Sequence, residues 1–114
     1  MNMFKLSKAG INVNEGLKRF SGNAQLYERF LDKFPLDPNY AAMGESVKAK
    51  DARAAFAAAH ALKGVAGNLS MTRLYTDLVP LVEVFRKGSL DTGGLWEPVS
   101  HDYEEIIQAL QETE

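Results

Sequence analysis

His60 is followed three residues later by Lys63, four later by Gly64 and seven later by Gly67, with Asn68 next. On an α-helix such spacings fall on neighbouring parts of one face, so these side chains would act on one another. Imidazole, which titrates at about pH 6.5, offers a neutral ring nitrogen as a nucleophile near neutrality. Gly64 would clear the side from which a bulky phosphoryl donor approaches, and Lys63 would offset the negative charge that arrives. Glycine inside a helix costs about 0.8–1.0 kcal/mol relative to alanine. The same segment uses alanine freely, so its two glycines need a reason. Close packing of a neighbouring helix is one, and it predicts a buried His60; room at an exposed His60 is the other.

The element that must carry these residues is the firmest helix of the chain. Asp51 can accept hydrogen bonds from free amides at its start, and an alanine-rich stretch then favours helix over residues 52–69. At about 100° per residue, Ala52, Ala55, Phe56, Ala59, Leu62, Ala66 and Leu69 form its core stripe and His60 lies well off it. Around it, apolar repeats at three and four predict helices over residues 14–20, 23–34, 72–87 and from 95 onward. In the second of these Leu26, Phe30 and Phe34 make the inward stripe. Asp37 as N-cap with Pro38 at the first helical position predicts a further helix to residue 48 with a thin apolar face.

Leu74, Leu78, Leu81 and Phe85 line the helix after the histidine segment, and Pro80 should kink it. Pro98 fits the first turn of the last helix, where Val99, Tyr103, Ile106, Ile107 and Leu110 are apolar. Trp96, Phe20, Phe30 and Phe34 belong with the core on this reading. Short loops between long helices predict an all-α fold, an up-and-down antiparallel four-helix bundle with short additional N-terminal helices. The expected organisation is one domain over residues 1–114, with N-terminal helices in 1–36 and bundle helices in 37–114.

Composition excludes several other functions. The 114 residues carry 13 Lys and Arg against 15 Asp and Glu, a formal charge of −2 that gives no basic excess for nucleic acid. No cysteine is present, so disulfides, thiolate metal sites and cysteine nucleophiles are absent. No apolar run approaches the ~20 residues of a membrane span, and residues 1–8 lack the pattern of a secretory signal. A cytoplasmic location is expected. The chain has neither a Gly-Lys dipeptide nor a kinase-type glycine loop, so no ATP-dependent kinase activity of its own is expected. His60 and His101 are the two histidines, too few and too far apart for a metal site, and His101 reads as a surface residue. Glu104, Glu105, Glu112 and Glu114 read as solvated charge.

The run His60-Ala61-Leu62-Lys63-Gly64-Val65-Ala66-Gly67-Asn68-Leu69 resembles the signature of the histidine phosphotransfer (HPt) domain of two-component phosphorelays. The resemblance extends to residues 10–17, to residues 27–34 and to Asp51 before the histidine helix. It implies a four-helix bundle in which His60 is the phosphoacceptor, Lys63 stabilises the phosphate and Gly64 gives steric clearance, with Gly67 and Asn68 in weaker roles. It also implies response-regulator receiver domains or a hybrid sensor histidine kinase as partners, Mg²⁺ supplied by the receiver, no cofactor of its own, and a monomer. The chain departs from the pattern after Leu69, where a glycine often stands and Ser70 and Met71 are found, and at Pro80. These departures motivate the alternative of a helical adaptor that binds a receiver or kinase without being phosphorylated.

Overall fold

Side-chain caps start four of the helices. Asn2, Asn12, Asn23 and Asp51 each accept, at 3.0–3.1 Å, the backbone N–H three residues ahead. Each such cap satisfies an amide that the helix cannot pair and contributes about 1 kcal/mol. In the computed structural model, which describes residues 1–112, the helices are α1 (Met3–Lys8), α2 (Val13–Arg19), α3 (Ala24–Lys33), α4 (Asn39–Lys48), α5 (Ala52–Asn68), α6 (Thr72–Arg86) and α7 (Trp96–Gln111). Single 3₁₀ turns occupy Phe34–Leu36 and Gly93–Leu95. The described residues contain no strand, so the all-α expectation holds. Glu114 and the last two positions of the 37–114 span lie outside the described residues.

Some elements depart from the sequence reading. Apolar periodicity placed no helix before residue 14, yet α1 forms there on its Asn2 cap and buries Leu6. Pro38 is the N-cap of α4 rather than its first helical residue. Asp37 acts one position earlier, its Oδ1 accepting from the backbone N–H and the side-chain amide of Asn39, both at 2.9 Å. Helix α6, by contrast, spans Thr72–Arg86 with Pro80 inside it, close to the expected bounds.

The largest correction is in α3 and the turn after it, where the inward residues are Tyr27, Leu31 and Phe34, while Leu26 is half-buried and Phe30 is 45% exposed. Tyr27 turns the helix this way. Its ring is fully buried, and its hydroxyl donates to the Leu69 carbonyl at 2.7 Å, joining α3 to the C-terminal end of α5. Burial, reinforced by the Glu15 carboxylate, pushes the Tyr27 phenol up to about 12, so the hydroxyl stays a donor at any ordinary pH.

The core forms one cluster from Leu6 to Leu110. Helix α5 lies against both α4 and α6, α6 packs on α7, and α1 also reaches α7. On α5 the buried residues are Ala55, Ala58, Ala59, Leu62 and Ala66, so Ala58 joins the expected stripe while Ala52 and Phe56 stay half-buried. Tyr40 of α4 stacks on Tyr103 of α7, with centroids 3.9 Å apart and planes within 6°, and its hydroxyl donates to Ser100 at 3.0 Å. Trp96 and Tyr103, expected in the core, are half-buried around this contact. No helix among the described residues is long and apolar enough to cross a membrane.

Asp102 of α7 is, with Ser70, one of two buried polar residues among those described. It is 3% exposed, and its Oδ2 has no hydrogen-bond partner among the described residues. Burial, then its carboxyl neighbour Asp77 on α6, push the Asp102 carboxyl up to about 7, against a smaller opposing pull from Arg73. The folded state therefore holds this proton more tightly than the unfolded chain does. Its stabilising contribution is complete below pH ~4, falls as pH rises, and is gone above about 7. Asp102→Asn cannot ionise, so its melting temperature should gain on the parent's progressively between pH 4 and pH 8. A constant difference across that range would contradict this assignment.

Candidate functional site

Helix α5 carries its apolar side inward and its polar signature outward. His60 is exposed on α5, as are Gly64 and the last helical residue, Asn68; Lys63 and Gly67 are half-buried. The exposed imidazole removes the packing explanation at His60 itself. The two glycines then separate. A Cβ placed on Gly64 would meet nothing within 4 Å, whereas one placed on Gly67 would lie 3.3 Å from the ring of Tyr75 on α6. Gly67 is thus explained by the close approach of Tyr75. Gly64 has no packing neighbour to justify it, and its bare surface lies one helical turn from His60.

Lys63, three residues beyond His60, forms no ion pair or hydrogen bond among the described residues. Lys63, Gly64, Gly67 and Asn68 line one groove of about 470 Å³ with Arg19, Glu15 and Tyr75, while His60 stands outside that lining. Arg19 is drawn toward Glu15, with Nε–Oε1 at 3.5 Å. Asn68 also borders a second groove, of about 740 Å³, with Val65, Phe20, Phe30, Lys33 and Leu36. Leu36 there is 82% exposed. Phe30, misassigned to the core by its spacing, is part of this apolar surface.

Ser70 shows how the chain accommodates its departure from the glycine pattern. Its φ is +56°, in the left-handed region where a side chain costs roughly 1–2 kcal/mol. The strain is offset by polar contacts: the Ser70 hydroxyl donates to Glu15 at 3.0 Å, and the Ser70 carbonyl accepts from the Asn12 N–H at 2.8 Å. The turn after α5 is therefore tied to the start of α2.

Phe56 beside His60, and Arg86 beside Phe56, escaped the sequence reading. Phe56, placed in the core stripe, is half-buried, and its ring stacks on the imidazole with centroids 5.5 Å apart. Arg86 of α6 sets its guanidinium 4.7 Å from the Phe56 centroid. The spacing of four between Phe56 and His60 was a usable signal; the approach of Arg86 from another helix was not. His101, on α7, is exposed and faces Glu105 at 3.3 Å. The described residues contain no group of three or more His, Asp or Glu side chains that could hold a metal ion.

The chain matches no protein-family model, no curated protein and no solved structure.

The unlike surroundings of the two glycines give opposite expectations for alanine. Gly64→Ala should raise stability by about 0.8–1.0 kcal/mol, the helix-propensity difference alone. Gly67→Ala should gain less or lose, because the Tyr75 ring must shift. Urea unfolding of both variants checks this, and equal gains would remove the distinction.

Proposed function

We propose that the protein is a phosphoryl carrier that accepts a phosphoryl group on His60. The donor is an acyl phosphate on a receiver-domain aspartate, or a kinase, and the acceptor is the aspartate of another receiver. A neutral ring nitrogen attacks phosphorus; the P–O bond to the donor carboxylate breaks, and the carboxylate leaves with its electron pair. A P–N bond forms, and the proton on the other ring nitrogen exchanges with solvent. Return to a second aspartate reverses these steps. The observation that carries the reading is the exposed His60 with open space over Gly64 and the unpaired Lys63 ammonium three residues on.

Phosphoryl transfer rests on positioning and on neutralising charge. Lys63 supplies one cation here, and the resemblance to the HPt family assigns the Mg²⁺ and the remaining groups to the receiver. On this reading α4 to α7 form the antiparallel four-helix bundle, a view supported by the contacts of α5 with α4 and α6 and by the Tyr40–Tyr103 stack between α4 and α7. Helices α1 to α3 are then the additional N-terminal ones. The carrier works in the cytoplasm as a monomer, with receiver domains or a hybrid sensor histidine kinase as partners and no ATP-dependent activity of its own.

A second reading, the unphosphorylated adaptor, draws on the apolar groove with exposed Phe30 and Leu36, which could bind a partner without any use of His60. Incubation with a phosphorylated receiver domain, followed by intact-mass spectrometry at neutral pH, separates the two. The carrier gains one phosphate in an acid-labile, base-stable linkage, and His60→Gln gains none while staying within about 0.5 kcal/mol of the parent stability, as an exposed site should. Binding without any mass gain, unchanged by His60→Gln, establishes the adaptor. Lys63→Ala should slow transfer roughly tenfold, about 1.4 kcal/mol of barrier, with donor affinity little changed; an unaltered rate would remove Lys63 from the chemistry.

A further inference from the structure

We propose that Phe56 is a positioning residue that fixes the plane of the His60 imidazole, and that Arg86 holds Phe56 in place. The inference rests on the carrier reading and deepens it by naming what orients the nucleophile. Side chains on a helix lean toward its N-terminus, so His60 leans over the turn that Phe56 occupies and away from Gly64. The two rings lie 5.5 Å apart with planes 20° from parallel, an offset stack. Neither His60 nitrogen has a hydrogen-bond partner among the described residues, so this stack is what restrains the ring. Without it, an exposed imidazole would sample a broad range of rotation about its last side-chain bond.

Phe56 is in turn held from α6. The Arg86 guanidinium stands 4.7 Å from its ring centroid, a cation–π distance, and Glu83 fixes that guanidinium through Nε at 2.9 Å. The row Glu83, Arg86, Phe56, His60 thus runs across the α5–α6 seam to the nucleophile. Orientation matters because the attacking lone pair lies in the imidazole plane and must point at phosphorus in line with the departing group. Phe56 guards the N-terminal side of the ring, and Gly64 leaves the C-terminal side open to the donor.

The test uses the full chain and phosphoramidate, a small donor that needs no docking surface. Its P–N bond breaks as the bond to imidazole forms, and ammonia leaves with the proton. In the parent, the carbon-bound ring protons of His60, assigned by their loss in His60→Gln, should be shifted upfield by the Phe56 ring current. Phe56→Leu should abolish that shift and slow phosphorylation by about tenfold, Phe56→Tyr should restore both, and Arg86→Met should reduce both in part, with circular dichroism confirming folded variants. A Phe56→Leu chain that is phosphorylated at the parent's rate, or whose His60 shifts equal the parent's, overturns the inference while the carrier reading stands. A parent chain that takes no phosphate from either phosphoramidate or a phosphorylated receiver overturns both.

Discussion

Because α5 meets its neighbours through Ala55, Ala58, Ala59, Leu62 and Ala66, α4 and α6 can approach its axis closely, with one large side chain to accommodate between them. Alanine is also the best helix former, so the face that permits close approach strengthens the helix at the same time. That surplus lets the helix carry two glycines, one open to solvent and one packed against Tyr75. The same close approach brings Tyr75 against Gly67 and Arg86 against Phe56, so the surroundings of His60 are set from α6.

The C-terminal end of α5 is fastened separately. Tyr27 closes over the Leu69 carbonyl from α3, and Ser70 joins Glu15 and Asn12 at the start of α2. Lys63, Gly64, Gly67 and Asn68 border the groove that results, with the exposed His60 outside it. The imidazole therefore stands on an open surface and not in an enclosed pocket.

Much of this was legible because helices advertise themselves locally. Capping residues and repeats at three and four placed α2 to α7 to within one or two residues, and the angular position of His60 relative to the alanines foretold its exposure. What failed was whatever depended on a partner distant in the chain. Leu26, Phe30 and Phe34 make as good a stripe as Tyr27, Leu31 and Phe34, and the contacts that favour the second, such as the Tyr27 bond to Leu69 42 positions away, are distant in the chain. Nothing local marks Asp102 as buried; its burial and its neighbour Asp77 on α6 emerge only with the fold. Arg86 lacks any local sign of its approach to Phe56. The separate meanings of Gly64 and Gly67 required Tyr75 to be in place.

The packing order also bears on how the chain reaches this state. From α4 onward each helix lies against the next one in sequence, so most of the framework can assemble by closing short loops, with little entropy lost per closure and a correspondingly fast search. The contact of α1 with α7, where Lys5 meets Glu112 at 3.2 Å, joins opposite ends of the described chain. It must await the rest and carries the largest closure entropy. The histidine helix therefore sits inside the early, locally assembled unit, and fraying of the α1–α7 seam can proceed while the His60 surface stays intact.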